Sequence, residues 1–221
     1  MTSHRSLARR LVGLVIAMTL VATGCGGAES ADPGQVDTVQ DRVGYHRTPA
    51  PQVADLAFID YSNRLTGEAY TMQADPGGLL LVYFGYLSCP DVCPTTLADI
   101  SVALDAMPAD LAGKVELGMV SVDPDRDEGV EIATYLDVFV DRNHGLLAPD
   151  EAALVQAGER FSAVWEIEDH EPGESYLVSH SAVTYVIDDT GTVVWELPFG
   201  SEPEALATAL EGVFAEQYGS A

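Results

Sequence analysis

The segment SCPDVCP at residues 88–94 sets Cys89 and Cys93 four positions apart. A thiolate attacks disulfides and binds soft metal ions, so a close pair of cysteines is a candidate for either chemistry. A C-x-x-C redox pair has two intervening residues; here there are three. The extra residue permits a disulfide and also gives both sulfurs room to hold one ion from two sides. Two thiolates suit Cu(I) foremost, with Zn(II) as the alternative. They leave a third coordination position open. His180, in the segment YLVSHSAVTY, is the candidate for it, although a lone histidine of this kind is more often a loop or capping residue. The bland readings of the cysteines are two buried structural thiols or a permanent disulfide whose short loop would constrain little.

Such a pair needs a rigid turn beneath it. Residues 78–86, GLLLVYFGY, form a continuous apolar run, the pattern of a buried central strand. After the cysteines, Leu97, Ile100, Leu104 and Met107 recur at helical spacing. The cysteines therefore sit at the carboxyl end of a strand and the start of a helix, where α/β folds place their sites. Unpaired N–H groups and the helix dipole favour a thiolate there, and Pro94 suits a first helical turn.

The other elements follow from pattern. Residues 54–72 alternate around an Asn/Gly-rich turn and predict a hairpin. Residues 115–122 predict a second buried strand, and 127–140 and 150–165 predict helices. Strands over 182–187 and 192–197 flank the turn DDTG. A last helix over 205–214 follows, with Ser201 as N-cap and Glu202 and Glu204 near its positive end. The fold class is α/β: a thioredoxin-like sandwich with a mixed central sheet, an N-terminal hairpin and flanking helices. His180 falls just before the strand whose leading loop faces the cysteine turn in such folds. That loop normally carries a cis-proline, and here none is nearby. His46, His144 and His170 read as solvated residues.

The chain has 221 residues, 47% of them hydrophobic, enough for one domain with an extension. Ten basic against 35 acidic residues give a net charge of −25, which excludes a binder of nucleic-acid phosphates. Arg5, Arg9 and Arg10 precede an apolar run at residues 11–22, too short to span a bilayer and typical of a signal peptide. The run ends at Thr23-Gly24-Cys25, similar to a bacterial lipobox, with Ala22 in place of the usual Leu. Cleavage before Cys25 would remove three Arg and no acid, leaving 7 basic against 35 acidic residues and a net charge of −28. Attachment to a membrane would then depend on acyl chains at Cys25, since anionic head groups repel such a surface. The domain scheme is a signal peptide at 1–24, a flexible Gly/Ala/Asp/Pro-rich tether at 25–52, the folded domain at 53–217 and a tail at 218–221.

Three blocks, YFGYLSCPDVCPTTLADI, SVDPDRDEGVEIATYL and YLVSHSAVTYVIDDTG, resemble the signature blocks of the Sco/SenC family over most of residues 53–214. These are membrane-tethered, thioredoxin-like copper proteins that help assemble the binuclear copper centre of cytochrome c oxidase. The resemblance implies that Cys89, Cys93 and His180 are the copper ligands, for Cu(I) or Cu(II). It also implies that Asp123 is an acid near the site, acting behind the ligands or in docking a partner. A turn residue before Pro124 is the equal alternative. The implied partners are cytochrome c oxidase subunit II and another copper chaperone or thiol reductase, at the extracytoplasmic face of a bacterial membrane. The chain would be secreted if Cys25 is not lipidated. A lipid anchor departs from the transmembrane helix of many relatives, and the strong acidity is outside the family pattern. Two other functions compete. One is an enzyme, a thiol–disulfide oxidoreductase or peroxidase-like reductase, with Cys89 attacking and Cys93 resolving. The other is an acidic binding module with an inert cysteine pair.

Overall fold

The computed structural model describes residues 42–219, so the leader, Cys25 and most of the expected tether lie outside the described residues. β1 (Ala57–Asp60) and β2 (Glu68–Thr71) pair antiparallel as the hairpin expected from their alternation. β3 (Leu79–Gly85) is buried along its whole length. The turn bearing the cysteines leads from it into α1 (Val92–Ala106), followed by the short α2 (Ala109–Ala112). β4 (Val115–Ser121) lies parallel to β3 with Leu79 opposite Val115.

After α3 (Gly129–Leu136) comes a strand that pattern reading missed, β5 (Asn143–Leu147). Its sequence NHGLL has too few apolar side chains to show a period. It is a strand because it lies between β4 (parallel) and β1 (antiparallel), which take up its backbone groups. α4 (Glu151–Phe161) opens with Asp150 accepting from the Ala153 N–H at 2.8 Å. It stops at Ser162, whose left-handed φ of 59° ends the helix before the expected residue 165. Trp165 is thereby released from the helix into β6 (Trp165–Ile167), which pairs antiparallel with β7 (Val178–His180) in a separate two-stranded ribbon. β8 (Val183–Ile187) and β9 (Val193–Pro198) form the second expected hairpin.

The final helix, α5 (Pro203–Tyr218), is longer than expected at both ends. Ser201 is not its cap. Its hydroxyl donates to the Pro198 carbonyl, Glu202 holds the N-cap position, and Pro203 takes the first turn.

The large sheet runs β2-β1-β5-β4-β3-β8-β9. Successive residues of β3 point to opposite faces. Leu79 and Leu81 enter a core with α1, α3 and α5, while Leu80, Val82 and Phe84 meet α4 and the N-terminal hairpin. This is the mixed sandwich expected from the element order. From Arg42 on, the segment read as tether lies along β9. Tyr45 bridges Glu196, Gln52 bridges Thr192, and Trp195 Nε1 donates to the Val43 carbonyl at 2.9 Å. Arg42 is buried against Glu216 of α5. Composition hid this, because these contacts are made by a few residues to a distant strand and have no local period.

Candidate metal centre

The turn after β3 is built around sulfur. Asp91 is the N-cap of α1, yet its side chain makes no capping bond. Instead the Cys93 N–H donates to Cys89 Sγ at 3.3 Å. A sulfur thus fills the acceptor position at the positive end of the helix, the setting that suits an electron-rich ligand. Gly85 is required beneath it. A Cβ there would come within 3.1 Å of Cys93 Sγ and 2.9 Å of the Tyr83 ring. Cys93 is buried, Cys89 half-buried, and both are free thiols.

His180 reaches this turn from the end of β7. Its Nε2 lies 3.4 Å from Cys93 Sγ and 4.0 Å from Cys89 Sγ. Its Nδ1 faces the Ser181 carbonyl at 3.2 Å, so donation there leaves the Nε2 lone pair turned to the sulfurs. The three donor atoms lie within 4.8 Å of one another, the one such group of three or more among the described residues. Metal bonds of about 2.0–2.3 Å to nitrogen and sulfur would separate trigonal neighbours by roughly 3.5–4 Å. The two nitrogen–sulfur distances match that spacing, and with all three donors within 4.8 Å the group can close on one ion held by two sulfurs and one nitrogen. The rings of Tyr83 and Tyr86 wall the imidazole in T-shaped contacts, each with its centroid 5.8 Å away. The buried Tyr83 hydroxyl has no hydrogen-bond partner and faces Cys93, where a thiolate would accept from it.

Burial pushes the Cys93 thiol up to about 12. The expected thiolate-favouring helix end is overridden at Cys93 because its sulfur sits in the apolar core beneath β3. Burial also holds His180 below the usual histidine range, which keeps it neutral and able to ligate. Metal uptake into such a site displaces thiol protons as the bonds form.

Asp123 is fully buried. Its carboxylate accepts from Tyr176 Oη at 2.9 Å and pairs with Arg126. Asp127, which sequence reasoning passed over, is also buried. It accepts from Ser121 Oγ at 2.7 Å and from the Leu87 N–H at 3.2 Å, pinning the loop after β3 to the end of β4. The acids of VDPDRD four residues apart were the available signal. Tyr86, Arg126 and Tyr176 were also missed, because they meet only in three dimensions.

The remaining histidines divide. His144 is not a solvated loop residue. It stands on β5 with Nδ1 3.0 Å from Asp60 and Nε2 3.6 Å from Glu116. Burial opposes its protonation, but bonds to those two acids push it up to about 9. His170 is exposed, as expected, and stacks on Tyr176 with centroids 3.7 Å apart. His46 is exposed beside Trp195.

Residues 60–215 match the family model described as SCO1/SenC. The Bradyrhizobium japonicum ScoI structure, described as having copper bound, is 32% identical with a TM-score of 0.59. The match covers 77% of this chain and 98% of that one. An SCO2-like protein of Rickettsia felis is 26% identical over 180 residues, 81% of this chain and 82% of the relative. The structure of BsSco, described as a member of the Sco family of cytochrome c oxidase assembly proteins with a disulfide switch, shares the fold. Its TM-score is 0.53 at 15% identity, covering 77% of this chain and 98% of that one.

Proposed function

The chain belongs to the SCO1/SenC family, and on that footing we propose that it is a copper-binding assembly factor for cytochrome c oxidase. Copper is its cargo, held by Cys89, Cys93 and His180. The observation that carries this reading is the convergence of two sulfurs and one imidazole nitrogen from separate elements within 4.8 Å of one another. A soft, low-coordinate site of this kind suits Cu(I) and also accepts Cu(II). Cys89 and His180 are only half-buried, so a partner's ligands can approach the ion and exchange with them. The proposed recipient is the binuclear copper site of oxidase subunit II. Asp123 supports the site from behind through Tyr176 and Arg126. Among the described residues no helix is long and apolar enough to cross a membrane. The anchor in this reading is a lipidated Cys25 at the extracytoplasmic face, and Cys25→Ser would move the protein from the membrane to the soluble fraction.

A second reading, thiol–disulfide exchange, is favoured by the donation of the Cys93 N–H to Cys89 Sγ. The Cys89 thiolate would attack a target disulfide, and Cys93 would displace the mixed disulfide. The target leaves as a dithiol and Cys89–Cys93 as a disulfide, which a thiol reductant must reduce before another round. Titration of the reduced protein with Cu(I) against a competing chelator separates the two. One tightly bound equivalent, lost in Cys89→Ser or Cys93→Ser, supports the copper reading. Disulfide turnover without copper uptake, unaffected by His180→Ala, sinks it. Unchanged Cu(II) affinity and spectrum in His180→Ala would remove His180 from the ligand set.

A further inference from the structure

The ligands belong to two separate bodies. Cys89 and Cys93 are fixed by β3 and α1. His180 ends the β6–β7 ribbon, which has no ladder to the seven-stranded sheet. The connection between its strands, residues 168–177, is exposed apart from Tyr176. Something must hold this ribbon at the depth that brings His180 to the sulfurs.

Val178 and Trp165 pack against the main core, and one charged side chain adds the polar tie. The Arg126 guanidinium lies over the Tyr176 ring, 3.4 Å from its centroid, and 5.7 Å from the centroid of Tyr86. Its Nη1 donates to the Tyr176 carbonyl at 3.0 Å, and Asp123 pairs with its Nε. Asp123 also takes the Tyr176 hydroxyl. Tyr86 accepts from the Val178 N–H at 3.3 Å, two residues before His180, while its ring makes a T-shaped contact with the imidazole. Both ends of the clamp therefore grip β7 or the segment leading into it. Nη2 has no hydrogen-bond partner, so the guanidinium is held through Nε, Nη1 and its faces.

We infer that Arg126 is the positioning residue for His180: fixed by Asp123 and set between Tyr176 and Tyr86, it locks the β6–β7 ribbon in place over the cysteine turn. The role needs a planar cation that can stack and hydrogen-bond at once, which arginine provides and lysine does not. The copper readouts below rest on the proposed function, whereas the exchange readout does not.

The test compares Arg126→Ala, Arg126→Lys, Tyr176→Leu and His180→Ala in the reduced, metal-free mature chain, then with Cu(II) as probe. In Arg126→Ala, the Val178 and Leu177 amides should exchange hydrogen at least about tenfold faster, with β3 and β4 amides unchanged. Cu(II) affinity should fall by about tenfold or more, as for supporting partners of metal ligands, and the spectrum should move toward that of His180→Ala. The double variant Arg126→Ala/His180→Ala should bind no more weakly than His180→Ala alone, because the two act through one ligand. Arg126→Lys should not restore the spectrum. Wild-type exchange at Val178 in Arg126→Ala, or additive losses in the double variant, would overturn the inference. If Arg126→Ala unfolds, seen as rapid β3 and β4 exchange, Tyr176→Leu must reproduce the same local exchange and non-additivity or the inference fails. A wild type that takes up no copper would defeat the proposed function, while the exchange result would still decide the clamp.

Discussion

His180 and His144 are one residue type in opposite settings. His180 is desolvated with no acid beside it, so it is neutral and its lone pair is free. His144 is also desolvated, but it bridges Asp60 and Glu116 and is pushed up to about 9. For both carboxylates burial raises the pKa, and the bonds from His144 and neighbouring donors lower it by more, so each titrates below its usual range. The sign of the stability effect follows. A raised histidine stabilises the fold fully below its unfolded pKa of about 6.5, and that contribution is lost as pH rises through about 9. The depressed acids contribute above their unfolded pKa values, and lose that contribution as pH falls. Thermal unfolding of wild type and His144→Gln from acid to alkaline pH should show the largest gap on the weakly acidic side, shrinking toward pH 9. A gap that grows with pH would mean that His144 is neutral in the fold.

At the scale of elements, the site depends on where α4 stops. Asp150 fixes its start and the left-handed Ser162 its end, and Trp165 packs back on Gly158 before pairing with His180 across the ribbon. A Cβ at Gly158 would lie 2.6 Å from the Trp165 ring. Gly158→Ala should therefore cost about 1–3 kcal/mol through overpacking, and it should disturb Cu(II) binding as the Trp165 strand shifts. Asp150→Ala should cost about 1 kcal/mol, the usual worth of an N-cap, and leave copper affinity unchanged because the Asp150 carboxylate caps its own helix and makes no hydrogen bond to the ribbon. Chemical denaturation with parallel copper titration separates the two outcomes. Equal copper effects in both variants would refute the link from Gly158 through Trp165 to His180.

Over the whole molecule, acid outnumbers base by 35 to 10. All six arginines among the described residues are spent on acids: Arg42, Arg47, Arg64, Arg126 and Arg160 each hold one, and Arg142 holds two. The acids left over repel one another at the surface. Raising ionic strength shortens that repulsion, with a Debye length of about 10 Å at 0.1 M and about 3 Å at 1 M. The melting temperature should therefore rise by a few degrees between those salt concentrations, about 2–4 °C for each kcal/mol gained. A fall would show that screening of the arginine pairs outweighs relief of the surplus charge.

The chemistry was written in the sequence: a cysteine pair after the most apolar strand, and a histidine before a later one. Both hairpins and the strand–turn–helix unit were legible too, because β3, β8 and β9 carry signals within a few residues of themselves. β5 and the β6–β7 ribbon were not. NHGLL and VSH have no period of their own and become strands only through the backbone groups they meet. The same holds for Arg126 with Tyr86 and Tyr176, for His144 between Asp60 and Glu116, and for the Arg42–Glu216 pair. Sequence alone determined which side chains could take copper, since donor identity is a property of the residue. Tertiary structure decided how far His180 stands from the sulfurs and what keeps it there, since those depend on contacts between residues fifty or more positions apart.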